Sequence, residues 1–391
     1  MKTVLKSLWK RKLTTLLLVA EISISILYFI IVVCEIQQAF RFNIIMPKQV
    51  SCNTEQLLEV NVGEDLTGEK YREIKKMLLD TGMVERVAVI DNDWDCDSEF
   101  SDEDIPSLRI TEDALCIKDF PVKAGRKLNE DDFRKSGKKK SVLVGSELAE
   151  NRNYKVGDKI VSFDTEETYE IVGILQEGTS CFVQSFADGT LQDLDNGMIC
   201  PTYEEKMESI NGIRFYCVLS DEKYKNDVEN VIAGSRNITG VRLEATAVSD
   251  ILENAFLEKY NSIKSWLVVS LVIVLLSAIG VATIISSMTY TRKQEIGVRV
   301  SVGYSMGQIK QLFIRESVFV ACFAYMLSAI LSILLVGTGD SGEIYAVGSY
   351  ISGQALAYGA VIALIYAILP TLVILYQFRN VSPRDLIGGR E

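Results

Sequence analysis

The stretch WLVVSLVIVLLSAIGVATIISSM, residues 266–288, holds 23 residues and no charged side chain. An α-helix rises about 1.5 Å per residue, so about 20 apolar residues span the hydrocarbon core of a bilayer. Three further runs have the same character: residues 13–33, with one charge at Glu21, and residues 317–336 and 355–376, with none. Because the core of a soluble protein does not supply four runs of this length, the sequence predicts four transmembrane helices.

The first apolar run also has some features of a cleaved signal peptide. Basic residues precede it, at Lys2, Lys6, Lys10, Arg11 and Lys12. A signal peptide, however, has a shorter apolar region and ends in a small-residue cleavage site. No such site follows this run, and Val33 is too large for a lipoprotein cleavage site before Cys34. We therefore predict that the run is retained as a membrane anchor.

Lysine and arginine are distributed unevenly around the four runs. Cytoplasmic flanks of membrane helices are enriched in these residues. Residues 337–353 contain none. Besides the N-terminal flank, the basic flanks of the spans hold Arg292, Lys293, Arg299, Lys310, Arg315, Arg379, Arg384 and Arg390. The distribution predicts cytoplasmic N- and C-termini and places residues 35–264 outside. That segment has a net charge of −17, and the rest of the chain has a net charge of +6.

The composition excludes several classes of protein. The whole chain has a net charge of −11 and a pI near 4.9, so it offers no basic surface for nucleic acid. It contains no histidine. Ser-His-Asp catalysis, Cys-His catalysis and histidine-ligated metals are therefore excluded.

The external segment has a mixed α/β pattern. Two strand-helix-strand patterns lie near its ends, at residues 57–62, 68–80 and 84–90, and at residues 213–219, 222–233 and 241–245. They predict a split ferredoxin-like sheet. Between them, short apolar runs predict a small β-rich subdomain, with strands at residues 141–144, 159–163, 169–175 and 198–200 and a helical turn at 146–151.

Residues 91–104, DNDWDCDSEFSDED, contain eight acidic side chains. A calcium loop would need glycine where Cys96 stands and glutamate where Asp102 stands. We predict a solvated acidic loop, with attraction for a cationic ligand left open.

Six cysteines lie in the external segment, namely Cys52, Cys96, Cys116, Cys181, Cys200 and Cys217, while Cys34 and Cys322 lie in or beside spans. An even number outside the cytosol permits disulfides without fixing their pairing.

The segment GILQEGTS, residues 173–180, nearly matches a phosphate-binding loop. The lysine that must reach the phosphates is replaced by Thr179. We therefore predict no ATP hydrolysis and no cofactor in this chain.

The segment between the second and third spans, TRKQEIGVRVSVGYSMGQIKQLFIRES, predicts a short surface helix. It covers residues 295–302 and stops at Gly303, and Ser305 with Gln308 forms a capping box for the next helix. Physical reasoning leaves two interpretations open: an interfacial anchor for the spans, or a docking helix for a partner.

The second span continues a pattern that begins well before it. Apolar residues at Leu252, Phe256, Tyr260 and Ile263 share one face, and Asp250 is a plausible N-cap. One helix is therefore predicted over residues 250–288, about 60 Å long, of which about half is a stalk outside the membrane.

The EIGVR-x-x-x-G run, followed by a helix ending in RES, resembles the coupling segment of MacB/FtsX-type ABC transporter permeases. AGRKLNEDD at 124–132, SVLVGSELAEN with VGDKI and YEIVGIL, and the tail VSPRDLIGG also resemble parts of that family. The short 151–153 stretch and the acidic residues 91–104 depart from the family pattern.

The resemblance implies a half-permease that pairs with itself or a paralogue and with two copies of an ABC ATPase, which would bind ATP and Mg²⁺. It implies that the ATPase contacts Glu295, Ile296, Gly297, Arg299 and Gly303, with Gly297 allowing close approach and Arg299 pairing with an acid. Glu21, inside the first span, is interpreted as a dimer-interface residue or as a snorkelling side chain.

Two functions are compatible with the resemblance. One is export or extraction of a peptide, antibiotic or lipid, driven by movement of the external domain. The other is FtsX-like signalling to an extracellular cell-wall hydrolase. The inserted subdomain favours the first function, and either one places the chain in the bacterial plasma membrane.

The predicted fold is thus an α-helical membrane protein with four transmembrane helices and an external α/β, split ferredoxin-like domain carrying a small β-rich subdomain. The predicted regions are as follows: 1–34, first helix; 35–249, external domain, with halves at 55–120 and 201–249 and the subdomain at 121–200; 250–288, stalk and second span; 289–311, coupling elbow; 312–337, third span; 338–353, external loop; 354–378, fourth span; 379–391, tail.

Overall fold

The computed structural model describes residues 11–63, 67–96, 104–134, 140–161, 168–182, 185–202, 214–236, 240–336, 344–346 and 351–377. The chain divides into two compact units. The helical unit comprises the described parts of residues 1–39, 259–340 and 349–391, and the α/β unit comprises those of 40–258 and 341–348.

The helices are, in chain order, α1 Lys12–Ile45, α2 Gly68–Asp80, α3 Ala114–Ile117, α4 Ser146–Arg152, α5 Lys225–Gly234, α6 Val248–Thr291, α7 Lys293–Ser301, α8 Met306–Val336 and α9 Gly353–Gln377. Within the described residues, four segments are long and apolar enough to cross a membrane: Lys12–Gln49, Val248–Met288, Gly307–Leu335 and Gly353–Pro370. The four predicted spans are therefore confirmed as parts of α1, α6, α8 and α9.

Helix α1 continues beyond the predicted end of the first span. The prediction ends this helix at residue 34, but α1 ends at Ile45, before a 3₁₀ turn at Met46–Gln49. The added residues contain no glycine, and the first proline is Pro47. Proline is the residue that most strongly ends a helix, so the helix can continue until just before Pro47.

Helix α1 supplies the centre of the helical unit. Ile22, Ile26 and Ile30 are buried against residues of α6, α8 and α9. Hydroxyl groups reinforce this packing: Ser25 Oγ lies 2.7 Å from Tyr366 Oη, and Ser328 Oγ donates to the Ser23 carbonyl at 2.8 Å. Such interhelical hydrogen bonds help to hold helices together where lipid offers no polar partner.

The strands are β1 Leu57–Val62, β2 Val84–Cys96, β3 Asp104–Ile110, β4 Val122–Gly125, β5 Lys140–Val144, β6 Lys159–Val161, β7 Thr168–Leu175, β8 Ser180–Phe182, β9 Thr190–Asp193, β10 Met198–Pro201, β11 Arg214–Leu219, β12 Leu243–Ala247 and β13 Ile344–Ala346. The order β12-β1-β11-β2 gives the antiparallel ferredoxin-like sheet, with α2 and α5 as its helices. The split ferredoxin-like prediction is therefore confirmed.

The second strand-helix-strand pattern is displaced slightly from its prediction. A 3₁₀ turn at Glu222–Tyr224 precedes α5, and β12 begins two residues later than predicted. Gly240, with φ +71°, makes the turn before β12, and the Arg242 carbonyl accepts a hydrogen bond from Gly63 N at 3.0 Å. The start of β12 is therefore set by this turn, which the apolar pattern does not reveal.

The β-rich subdomain continues the same sheet from β2. The order continues β2-β3-β10-β5-β7-β4, with β6 beside β7. A separate three-stranded sheet, β13-β9-β8, takes one strand from the segment predicted as a loop between the third and fourth spans. That strand was not predicted, because three residues do not establish a strand period.

The acidic segment is partly a strand rather than a solvated loop. Residues 91–96 extend β2 and pair with β3, with Asp91 opposite Arg109 and Cys96 opposite Asp104. Its sequence alternates acids with Asn92, Trp94 and Cys96, which is a period of two. The loop prediction was therefore wrong for these residues, and residues 97–103 lie outside the described part.

The cysteines with described side chains form no disulfide, and in the external segment they are Cys52, Cys116, Cys181, Cys200 and Cys217. Burial raises the pKa of the Cys181 thiol to about 12 and raises that of Cys217 still further. These two thiols are therefore uncharged core groups. The Cys96 side chain lies outside the described part.

Glu59 is a fully buried carboxylate on β1. Its Oε2 accepts a hydrogen bond from Phe186 N at 3.1 Å, and its Oε1 lies 3.2 Å from Arg214 Nε. Burial raises the pKa of Glu59 above its ordinary 4.5, and the Phe186 amide and Ser185 hydroxyl partly oppose this rise. The folded state therefore holds the Glu59 proton more tightly than the unfolded chain does.

This tighter binding predicts a pH-dependent loss of stability. The free energy of unfolding falls as the pH rises from about 4.5 to the pKa that Glu59 has in the folded state. The total fall is about 1.4 kcal/mol for each factor of ten by which the folded state binds the proton more tightly than the unfolded chain. Glu59→Gln should remove that fall and be more stable than the wild type at pH 7. Urea unfolding of the full chain in detergent, followed by far-ultraviolet circular dichroism, measures this effect. Glu244→Gln, an exposed change on β12, is the control and should follow the wild-type profile.

Candidate functional site

The candidate site lies where the coupling elbow was predicted at residues 289–311. In the structure we define the elbow as residues 292–316, which comprise Arg292, helix α7, the turn after it and the first three turns of α8. Helix α7 ends in a Schellman motif: Tyr304 N donates to the Arg299 carbonyl and Gly303 N to the Val300 carbonyl, both at 3.0 Å. Gly303 has φ +100°, a conformation that favours glycine. The predicted stop at Gly303 is therefore confirmed.

The next helix begins at a capping box. Ser305 N donates to Gln308 Oε1 at 3.0 Å, and Gln308 N donates to Ser305 Oγ at 3.3 Å. These are the two reciprocal bonds predicted from the sequence. The turn between α7 and α8 is thus fixed at both of its ends.

A small apolar core holds α7 against α8. Ile296 of α7 is buried with Ile309 and Phe313 of α8, and Ile285 and Val300 pack around them. Removing such a side chain from a core costs about 2–5 kcal/mol. The elbow therefore has its own packing and is not a loose linker.

Arg292 forms the polar part of the elbow. Its Nη1 lies 2.6 Å from Glu316 Oε2 and its Nη2 lies 3.3 Å from Glu316 Oε1. The guanidinium also lies 4.9 Å from the centre of the Phe313 ring, a cation–π contact. The side chains of Arg292 and Glu316 are only 5% and 8% exposed.

The outer face of the elbow is apolar and open. Val298 is 63% exposed, Val302 is 74% exposed and Tyr304 is 52% exposed. Beside them, Glu295 and Arg299 form an exposed ion pair, with Arg299 Nη2 2.7 Å from Glu295 Oε1. An apolar face bordered by charges is typical of an interaction surface.

The five residues predicted to contact an ATPase lie in different places. Glu295, Arg299 and Gly303 are at the surface, whereas Ile296 and Gly297 are buried. Arg299 is paired within its own helix. Ile296 and Gly297 are covered within this chain, and contact of the five residues with an ATPase stays a prediction.

Sequence reasoning missed Val298, Val302 and Tyr304 as the exposed face. It also missed the Arg292–Glu316 pair. One signal was available: Val298 and Val302 are four residues apart, so they share a helix face that does not include Ile296.

Glu21 lies on α1 and faces α6. Its carboxylate occupies the space above Gly280, so that a methyl group added to Gly280 would collide with Glu21 Oε1. Ser277 Oγ also lies 3.5 Å from the Glu21 carbonyl. The glycine thus gives the carboxylate room between two helices of the same chain.

Residues 173–180, which nearly match a phosphate-binding loop, join two strands. Residues 173–175 end β7, Gly178 makes a turn with φ +78°, and the chain then enters β8. A phosphate loop leads into a helix, whose N-terminus binds the phosphate. This segment therefore lacks the structure that the chemistry requires.

The predicted stalk belongs to α6, which runs without a break over 44 residues, or about 66 Å. The helix starts at Val248, two residues before the predicted N-cap Asp250, which instead pairs with Lys225 at 2.5 Å. Leu252 is buried and Phe256 contacts Phe40, with ring centres 6.3 Å apart.

The remaining two stalk residues lie further along α6. Ile263 is half-buried, whereas Tyr260 is 47% exposed. The predicted apolar stripe is thus covered at its start and more open towards the span.

The positive φ of Gly303 gives a test of the elbow. Gly303→Ala should destabilise the end of α7 by about 1–2 kcal/mol, because an L residue is strained there. Hydrogen exchange of the α7 amides in the full chain measures the change. Gly307→Ala is the matched control, since its nearest neighbouring atom would be 3.8 Å away, and alanine favours the helix by up to about 1 kcal/mol. Equal protection of α7 in both variants would contradict the prediction.

Two family models match the chain. The MacB-like periplasmic core domain matches residues 15–233, and the FtsX-like permease C-terminal domain matches residues 267–383. The first match covers nearly all of α1 and most of the α/β unit, and the second covers the second half of α6 and all of α7, α8 and α9. Together they account for both units.

Curated relatives have the same character. The macrolide export ATP-binding/permease protein MacB of Campylobacter jejuni strain 81-176 is 25% identical over 238 residues, which is 57% of this chain and 34% of that protein. MacB of strain NCTC 11168 matches with the same identity and coverage. The matched part therefore spans about a third of the length of these relatives.

Solved structures also match part of the chain. The extracellular domain of the noncanonic ABC-type transporter YknZ from Gram-positive bacteria matches at 13% identity, with a TM-score of 0.36, over 49% of this chain and 99% of that one. The periplasmic region of MacB from Actinobacillus actinomycetemcomitans matches at 11% identity, with a TM-score of 0.38, over 53% and 94%.

The resemblance seen in the EIGVR run thus agrees with family matches that extend over the helices and the α/β unit alike. The periplasmic core model alone covers more than half of the sequence. The chain belongs to the MacB/FtsX-type family of ABC transporter permeases.

Proposed function

We propose that the chain receives movement from an ABC ATPase at the elbow and passes it to the external α/β unit. The observation that carries this proposal is the exposed apolar face formed by Val298 of α7 and by Val302 and Tyr304 of the turn that follows it. Hydrogen bonds fix the backbone of this turn. Exposed apolar side chains gain free energy when a partner covers them. The neighbouring Glu295–Arg299 pair supplies the polar rim that such an interface needs.

ATP binding is assigned to the partner and not to this chain. The residues 173–180 enter a strand, lack the phosphate-loop lysine and lie in the external unit. The relatives carry ATP-binding and permease functions in their names, and this chain matches about a third of their length. Two ATPase subunits, binding ATP and Mg²⁺, with a second permease of the same or a related sequence would complete the transporter.

The substrate class is a peptide, an antibiotic or a lipid taken from the outer leaflet or from outside the membrane. The word export in the names of the MacB relatives supports this class. FtsX-like signalling to an extracellular cell-wall hydrolase stays the alternative, since the FtsX-like permease C-terminal model also matches the chain. The charge distribution supports a plasma-membrane protein with cytoplasmic termini and residues 35–264 outside. This orientation places the elbow on the side where ATP is available.

Helix α6 is the proposed lever. Its residues belong to the α/β unit up to Glu258 and to the helical unit from Lys259, and the helix is continuous across this boundary. An unbroken hydrogen-bond ladder transmits displacement, whereas a flexible linker absorbs it. Movement at the elbow would therefore reach the external unit through one secondary-structure element.

The docking proposal predicts the effect of charge on the apolar face. The double variant Val298→Glu/Val302→Glu places carboxylates where the partner would bury apolar surface, so it should reduce ATPase binding at least about tenfold. The measurement is co-purification with the ABC ATPase that the wild-type chain retains, after quantifying membrane insertion.

Val156→Glu is the matched control for this experiment. Val156 is an exposed valine of the α/β unit, so its replacement should leave ATPase binding unchanged. Wild-type binding by the double elbow variant would overturn the docking proposal.

The lever proposal predicts an uncoupled transporter. Asn261→Pro removes a backbone donor from α6 at an exposed position and breaks the ladder between the unit boundary and the span. The variant should keep ATPase binding and ATP hydrolysis but lose export of, or resistance to, the substrate.

The control is Asn261→Ala, which changes the same side chain and keeps the helix. It should transport like the wild type. Full transport by a correctly inserted Asn261→Pro variant would show that α6 does not act as the lever.

A further inference from the structure

Arg292 is the single residue between two helices. Helix α6 ends at Thr291 and α7 begins at Lys293, and Arg292 itself has φ −91° and ψ 0°, outside the α-helical region. Movement that passes along the backbone from α7 to α6 crosses this residue. Rotation of its backbone would change the angle between the two helices, which the packing of Ile285 of α6 against the Ile296 core also opposes.

The Arg292 side chain ties this joint to a third helix. Its fork meets both oxygens of Glu316 on α8, 24 residues further along the chain. Two-point contact fixes direction as well as distance, because the guanidinium and the carboxylate are both planar. The Phe313 ring, also on α8, covers the guanidinium on one side.

The surroundings strengthen the contact. Both side chains are almost completely buried, and Glu295 Oε2 lies 3.7 Å from Arg292 Nε on the α7 side. The guanidinium therefore contacts α7 and α8 while its backbone ends α6. One side chain connects the lever helix, the docking helix and the third span.

A buried ion pair often adds little to the free energy of unfolding. The cost of removing two charges from water often equals their attraction, and apolar side chains of similar volume stabilise a core at least as well. What a two-point pair supplies is a single geometry. The location of this pair at a one-residue joint gives that geometry a use.

We propose that Arg292 and Glu316 are positioning residues that lock the α6–α7 joint, so that α6, α7 and the base of α8 move as one body. The proposal rests on the proposed function for its purpose, since coupling needs a partner that moves the elbow. The lock itself is a property of this chain alone and is measurable without the ATPase.

The experiment compares Arg292→Gln, Glu316→Gln and the double variant Arg292→Gln/Glu316→Gln. Each single variant removes one side of the two-point pair and leaves the other buried charge without it, whereas the double variant removes both charges of the pair. Arg242→Gln is the control, because it removes an exposed arginine that lies 2.6 Å from Glu244.

The first readout is hydrogen exchange of the full-length permease alone in nanodiscs. Both single variants and the double variant should exchange the α7 amides at least about tenfold faster than the wild type, with no change in the α/β unit. The control should match the wild type. Wild-type protection of α7 in all variants would overturn the lock.

The second readout is substrate transported per ATP hydrolysed in the assembled transporter. The double variant should assemble like the wild type, because both charges of the pair are gone. Its ratio should still be lower than that of the wild type, because two amides do not reproduce the two-point contact between guanidinium and carboxylate. A wild-type ratio in the double variant would show that the pair only avoids an unpaired charge, and would overturn the positioning role.

The two readouts separate this proposal from the proposed function. If the Val298→Glu/Val302→Glu variant binds and couples normally, the docking face is elsewhere and the proposed function fails. Exchange in the permease alone still decides whether Arg292 locks the joint.

Discussion

The unbroken backbone ladder of α6 is the feature on which the rest of the structure depends. In a bilayer, each backbone donor and acceptor must be satisfied within its own segment, so a span is a helix. The sequence from Val248 to Thr291 offers no proline, and its glycine, Gly280, lies under Glu21. The helix therefore continues past the apolar part and brings Leu252 and Ala255 into the core of the α/β unit.

Polar groups in the helical unit are placed where they do not break this ladder. Ser23, Ser25 and Ser328 bond to neighbouring helices through short side chains. Glu21 is accommodated by the missing side chain of Gly280 and not by a break in either helix. Small and hydroxyl residues thus allow close approach and provide polar contacts while the backbone stays regular.

Regions with a clear period were predictable from the sequence, and regions fixed by distant partners were not. β1 and α2 match their predicted bounds, because apolar residues recur at two and at three to four residues. Residues 91–96 were predicted as a loop, but their backbone pairs with β3, a distant partner that their acidic composition does not reveal. The buried side of α7 could not be predicted from its period, because the position of α8 decides which side is buried. The Arg292–Glu316 pair joins residues with no local signal of contact.

Under the proposed function, the elbow must satisfy two conditions that oppose each other. Its apolar face would remain exposed until a partner covers it, yet a helix of nine residues is too short to hold its shape alone. The Schellman motif, the capping box and the Ile296 core meet the second condition without using Val298 or Val302. A partner would then bind a face that is already ordered, which lowers the entropy cost of association. The proposed docking on so short a helix therefore depends on contacts made elsewhere in the elbow.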